Sequence, residues 1–151
     1  MLLSQLLTAD RIKVPLESRD KPSVLRELVE LLARASGGDA GEILHAVLER
    51  EEAQSTGFGY GVAIPHGRSP SLGALVVVAG RAQWPVEYGA VDAQPVRLFF
   101  LVAGPESAAG DQVRALARIA RLVRRDHLRE RLMKAANAQE FVAAVLEQEQ
   151  Q

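Results

Sequence analysis

The sequence predicts an α/β sandwich in which a small mixed β-sheet is flanked by helices, and three observations predict it. The run at residues 74–79 is too short and too β-branched for a free helix and reads as a buried strand. A second apolar run, at residues 95–102, lies between turn-like residues 92–94 and Gly104-Pro105 and reads the same way. Apolar residues at helical spacing precede and follow the pair. The chain has 151 residues, 48% hydrophobic and 25% charged, which suits one soluble domain over residues 1–151. A fold of that length removes roughly 70% of the surface its unfolded chain exposes, so it needs no covalent staples. The absence of cysteine excludes disulfide scaffolds, thiolate metal sites and cysteine nucleophiles.

Taken in order, residues 1–10 have no basic residue ahead of their apolar stretch and no small-residue cleavage site behind it, unlike a signal peptide. No apolar run approaches the roughly 20 residues that span a bilayer, so a cytoplasmic protein is expected. Ile12, Val14 and Leu16 alternate as in a strand. Pro22-Ser23 opens a helix carrying Val24, Leu25, Leu28, Leu31 and Leu32, and Gly37-Gly38 stops it. Asp39 caps a second helix with Ile43, Leu44, Val47 and Leu48 on one face. Its charged end, with Glu49, Glu51 and Glu52, reads as solvated. Residues 55–73 are a glycine-rich loop, and after Gly110 three helices follow at residues 111–123, 126–135 and 138–147, the last capped by Asn137.

Chemistry concentrates in residues 55–67, where four glycines would be costly in backbone entropy unless the chain must come close to something. A dinucleotide fingerprint is excluded because Gly57-x-Gly59-x-Gly61 opens a strand-like Val62-Ala63-Ile64 and no helix. A P-loop is excluded because five residues separate Gly61 from Gly67 and Arg68 stands in place of the lysine. His66 remains, presented between a rigid Ile64-Pro65 and Gly67. A neutral imidazole is a competent nucleophile, and glycine N–H groups can hold phosphoryl oxygens. Spacing alone leaves two readings open, a phosphoryl acceptor and a histidine in a tight turn. His45 and His127 have no metal-ligand spacing and read as ordinary helix residues.

Glu51, six intervening residues, then Phe58-Gly59-Tyr60-Gly61-Val62-Ala63-Ile64-Pro65-His66-Gly67 resembles the active-site motif of the type-2 enzyme IIA domains of the bacterial phosphotransferase system, the fructose/mannitol and nitrogen-regulatory class. The similarity extends through Arg50, Ser55-Thr56-Gly57 and Val91-Asp92-x-Gln94-Pro95-Val96. It implies an α/β sandwich that needs no cofactor or metal. It further implies a phosphoryl group accepted on His66 from an HPr-like phosphohistidine carrier protein and passed to a IIB component or a regulated target. Arg50 falls where the family keeps an arginine at the site, and Gly59, Tyr60, Gly61 and Gly67 would form the phosphate-binding loop. Two positions depart from the family: Tyr60 replaces the usual asparagine, and Gln112 stands where a second histidine opens a helix.

Eighteen basic and nineteen acidic side chains give a net charge of −1, which does not fit a nucleic-acid or membrane-binding surface. Arg114, Arg118, Arg121 and Arg125 nevertheless share one face at helical spacing, about 100° from the Val113, Leu116, Ala117, Ala120 face expected to be buried. They are candidates for docking an acidic partner protein. This leaves an alternative, a module of the same fold that binds its partner through this helix and is never phosphorylated.

Overall fold

The computed structural model describes residues 1–150. Strands β1 (Ile12–Leu16), β2 (Gly57–Gly59), β3 (Val62–Ala63), β4 (His66–Arg68), β5 (Val76–Val86) and β6 (Val96–Gly104) form one mixed sheet. Its order is β1-β5-β6-β3-β2, and β4 also pairs with β6. β5 and β6 run antiparallel, whereas β3 and β4 lie parallel to β6, one after the other along its free edge. The helices are α1 (Leu3–Leu6), α2 (Lys21–Ser36), α3 (Ala40–Ala53), α4 (Ala109–Val123), α5 (Asp126–Lys134) and α6 (Ala138–Glu149). Among the described residues no helix is long and apolar enough to cross a membrane.

Two-sided burial explains the unbroken apolar runs of β5 and β6. Successive side chains of a strand point to opposite faces. Val76, Val78, Phe99 and Leu101 therefore join Val24, Leu28, Leu32, Ile43 and Val47 of α2 and α3 in one core. Val77, Ala79, Leu98 and Phe100 join Ile119, Leu122, Leu132, Phe141 and Val145 of α4, α5 and α6 in the other. This is the sandwich the sequence predicts.

Three helices begin at side-chain caps and one ends at a glycine. Asp39 and Asn137 accept N–H bonds from Glu42 and Glu140, both at 2.9 Å. α2 begins one residue before the expected Pro22, because Asp20 is the cap and accepts from the Ser23 N–H at 2.9 Å. Pro22 then sits in the first turn, where its missing N–H costs nothing. Gly37 ends α2 with φ 77°, a left-handed conformation that favours glycine.

Three expectations are corrected. The expected loop at residues 55–73 is partly recruited into the sheet as β2, β3 and β4, because the edge of β6 offers it hydrogen-bond partners. α4 turns a different face inward: Gln112, Ala115, Ile119, Leu122 and Val123 are buried, while Val113 is 62% exposed and Ala117 is also exposed. The arginine stripe is mostly engaged within the chain, since Arg118 pairs with Glu149 at 3.0 Å, Arg114 pairs with Asp111, and Arg125 donates to the Gln148 carbonyl at 3.0 Å, although Arg114, Arg121 and Arg125 stay exposed. Arg125 also lies past the end of α4, in the turn before α5. Of the four, Arg121 alone has no partner among the described residues.

Candidate functional site

His66 opens β4 directly after Ile64-Pro65 and pairs with Val102 of β6. The glycine that follows it serves packing. A Cβ on Gly67 would lie 3.1 Å from the Val47 amide nitrogen and 3.3 Å from the Ala46 carbonyl carbon, a tight fit, so glycine favours the close passage of β4 along α3. That approach carries Arg50, one turn beyond Ala46, to the histidine. The N-terminal part of α4 closes the other side. A cleft of about 780 Å³ results, lined by Arg50, His66, Gly67, Gln112, Val113 and Leu116 among others. A smaller hollow of about 290 Å³, walled by Gly57, Phe58, Val91 and Ala120, meets the cleft at Arg50, His66 and Leu116. The half-buried imidazole thus sits on a ridge between two hollows, reachable from outside.

The His66 ring has a defined orientation. Its Nδ1 lies 3.0 Å from the Ile64 carbonyl oxygen. A carbonyl only accepts, so Nδ1 carries the proton and Nε2 keeps its lone pair. Burial, helped by the positive charges of Arg50 and Arg68, holds the imidazole pKa below its ordinary value against the opposing pull of the Ile64 hydrogen bond and Glu51. The ring is therefore neutral at pH 7. A neutral imidazole with an unprotonated nitrogen, in a ring that lines a cleft, is a nucleophile, and the arginine beside it suits an anionic electrophile.

Two other polar groups face this nitrogen's surroundings. Arg50 donates from Nη1 to the Gln54 carbonyl at 2.7 Å, which closes the end of α3 and steadies the guanidinium. Gln112 is 4% exposed, and nothing among the described residues hydrogen-bonds its Oε1. Buried amides are ordinarily satisfied; the oxygen can only accept, so the part of Gln112 able to bond an anionic oxygen in the cleft is its NH2 group.

Of the sequence-predicted residues, the fold therefore brings His66, Arg50, Gln112 and Gly67 together. It does not bring Gly59, Tyr60 and Gly61 with them. These three have φ of 103°, 61° and 76° and form the tight turn from β2 to β3. The Gly61 carbonyl accepts from Leu98 of β6, while His66 pairs with Val102, four residues on, or about 13 Å at the rise of a strand. Tyr60 and Gly61 line a separate cavity with Arg97, Met133 and Arg129, whose guanidinium lies 4.5 Å from the Tyr60 ring centroid. The proposed phosphate loop is thus a structural turn. Glu51 also departs from expectation: it is 8% exposed and paired with Lys21 at 2.9 Å, where a solvated helix end was expected. The Val113 and Leu116 face of α4, expected to be core, instead borders the cleft. Neither feature has a local sequence signal, since each depends on which element packs alongside.

A family model described as "Phosphoenolpyruvate-dependent sugar phosphotransferase system, EIIA 2" matches residues 5–148. A nitrogen regulatory protein of Bradyrhizobium diazoefficiens is 36% identical over 139 residues, covering 92% of this chain and 91% of that protein. A fructose-specific EIIABC component of Bacillus subtilis is also 36% identical, over 136 residues that make up 89% of this chain but 21% of that protein. The crystal structure of a nitrogen regulatory protein IIA-Ntr from Neisseria meningitidis superposes with a TM-score of 0.88 at 31% identity, covering 95% of this chain and 98% of that one.

Proposed function

Because the chain belongs to the EIIA 2 family of the phosphoenolpyruvate-dependent sugar phosphotransferase system, a family of phosphoryl-transfer components, we propose that it accepts a phosphoryl group on Nε2 of His66 from an HPr-like phosphohistidine carrier in the cytoplasm. The observation that carries this reading is the Nδ1 contact to the Ile64 carbonyl, which leaves Nε2 as the one unprotonated ring nitrogen beside Arg50. The Nε2 lone pair forms the new N–P bond while the donor's N–P bond breaks and returns its electron pair to the donor ring. The His66 ring gains positive character as it bonds phosphorus, and the retained Nδ1–H delivers part of that charge to the Ile64 carbonyl. Such a reaction asks the protein for positioning and for donors on the phosphoryl oxygens, with little covalent work. Arg50 and the Gln112 amide supply those donors. The likeness to nitrogen regulatory proteins over nine-tenths of both chains supports a regulatory role, with a target protein or a IIB component as the onward acceptor. Incubation with a phosphorylated carrier should add the mass of one phosphoryl group; an unchanged mass at saturating donor rejects the reading.

Arg50→Lys keeps a charge but loses the planar fork that grips two oxygens. Phosphorylation is expected to slow about tenfold. Stability should fall by only about 1 kcal/mol, the net worth of the single bond to Gln54, and urea melts alongside transfer kinetics check both.

Gln112→His tests the neutral amide. It replaces a group that can only hydrogen-bond with one that can become cationic in the same position. A preorganised donor of this kind is worth on the order of 3 kcal/mol, of which its charge is a part. A gain of roughly tenfold in transfer to or from His66 is expected. Unchanged rates in both directions would mean that residue 112 never touches the phosphoryl group.

A further inference from the structure

We propose that Glu51 is a positioning residue which sets the tautomer of His66 through Thr56 and Ile64. This rests on the reading of His66 Nε2 as the phosphoryl acceptor. Glu51 neighbours Arg50 on α3, but about 100° around the helix its side chain points away from the cleft and is 5% exposed. Its two oxygens hold both donors of Thr56, the backbone N–H at 2.8 Å and the hydroxyl at 2.6 Å. The Thr56 carbonyl accepts the Ile64 N–H at 3.0 Å, and the Ile64 carbonyl takes the His66 Nδ1–H at 3.0 Å. Four hydrogen bonds thus connect a buried carboxylate to the ring.

The position of this relay explains why it is needed. Residues 64 and 65 fall between β3 and β4, and Pro65 has no N–H to offer. The segment is tied by Ile64 to Thr56 on one side and by the Val102 N–H to the Pro65 carbonyl on the other. If Thr56 shifts, the Ile64 carbonyl turns from Nδ1, and the ring is free to carry its proton on Nε2, where it blocks attack. Glu51 is itself held. Lys21 binds it at 2.9 Å, donates to the Tyr88 carbonyl at 2.9 Å and lies 4.2 Å from the Tyr88 ring centroid. An ionised carboxylate only accepts, so Thr56 Oγ1 donates to it and receives the Tyr88 hydroxyl at 3.0 Å. The hydrogen bonds from Thr56 and Lys21 outweigh burial and keep the Glu51 carboxyl below its ordinary pKa. Burial and the nearby Glu51 charge push the Tyr88 hydroxyl up, so it stays a donor.

The test reads the ring directly. Nitrogen-15 chemical shifts of His66 at neutral pH should show the Nδ1–H tautomer in the native protein and a shift toward Nε2–H in Glu51→Gln. Phosphorylation by the carrier should slow roughly tenfold, as about 1.4 kcal/mol of lost positioning would give. Thr56→Val removes the hydroxyl but leaves every charge in place, and it carries the same expectation if Glu51→Gln does not fold. Thr56→Ser keeps both donors and should retain the native shifts and rate. Native ring shifts in a folded Glu51→Gln or Thr56→Val would overturn the proposal and leave the network purely structural. Because the shifts need no donor, a changed tautomer in a protein that is never phosphorylated would reject the proposed function and keep the relay.

Discussion

His66→Ala should abolish phosphoryl labelling, the largest functional effect expected of any single change. Neither remaining histidine stands in a comparable place: the His45 side chain is 82% exposed and pairs with Glu49, and His127 is exposed at the start of α5. Among the described residues neither has a carbonyl fixing its tautomer, and His66 alone combines an unprotonated Nε2 with Arg50. Labelling that survives in His66→Ala and vanishes in His45→Ala would reverse the assignment. The native protein also has an expected pH profile. The folded His66 pKa lies below its ordinary value of about 6.5, so the ring stays neutral and reactive through that pH and loses activity only further into acid. The unfolded chain takes up its proton first, so stability at this residue declines as pH falls through about 6.5. An NMR titration midpoint above 6.5 would contradict both statements.

Glu149→Gln should give the largest stability loss. The Glu149 carboxylate, 1% exposed, accepts from the Leu3 and Ser4 N–H groups, both at 2.7 Å, and from Arg118 Nε at 3.0 Å. These bonds seat α1, whose flanks bury Leu3 and Leu7 at 2% and 1% exposure. Neutralising one partner leaves the half-buried Arg118 without its counter-charge, a change that costs about 3 kcal/mol. Burial acts to raise the carboxyl pKa, but the hydrogen bonds from Ser4, Leu3 and Arg118 hold it below the ordinary carboxylate value. The stabilisation is complete above the unfolded value of about 4.3 and disappears as pH falls through the folded one. Denaturant melts of the two proteins should differ most at neutral pH and converge on acidification. A constant gap at every pH would mean that packing, and not charge, holds the segment.

How much of this could be read in the sequence depended on whether the deciding interaction was local. Asp39, Asn137 and Gly37 mark helix ends because a cap acts within three or four residues. The apolar stretches of β5 and β6 announce strands covered on both sides. β5, however, continues through Gln83, Trp84 and Pro85 to Val86, where exposed side chains hide the strand. β2, β3 and β4 span three, two and three residues and exist only because distant β6 pairs with two of them. α1 is held by a carboxylate some 145 residues away, and no window along the chain contains that information. At the site, the motif located His66, and the resemblance to the family pointed to Arg50 and Gln112. It could not separate the glycines that turn the chain from the glycine that admits a helix, nor show that Glu51 faces inward.

The meeting of α1 with the last turn of α6 also has a topological consequence. Leu3 and Glu149 are joined at 2.7 Å, so the fold begins and finishes at one point on its surface. A linker of a few residues would close the backbone into a ring, at a loop-closure cost that grows only with the logarithm of its length. Such a fold tolerates circular permutation and can be spliced into a surface loop of another polypeptide without pulling its host apart. The His66 cleft, built from the middle of the chain, would travel intact through either rearrangement.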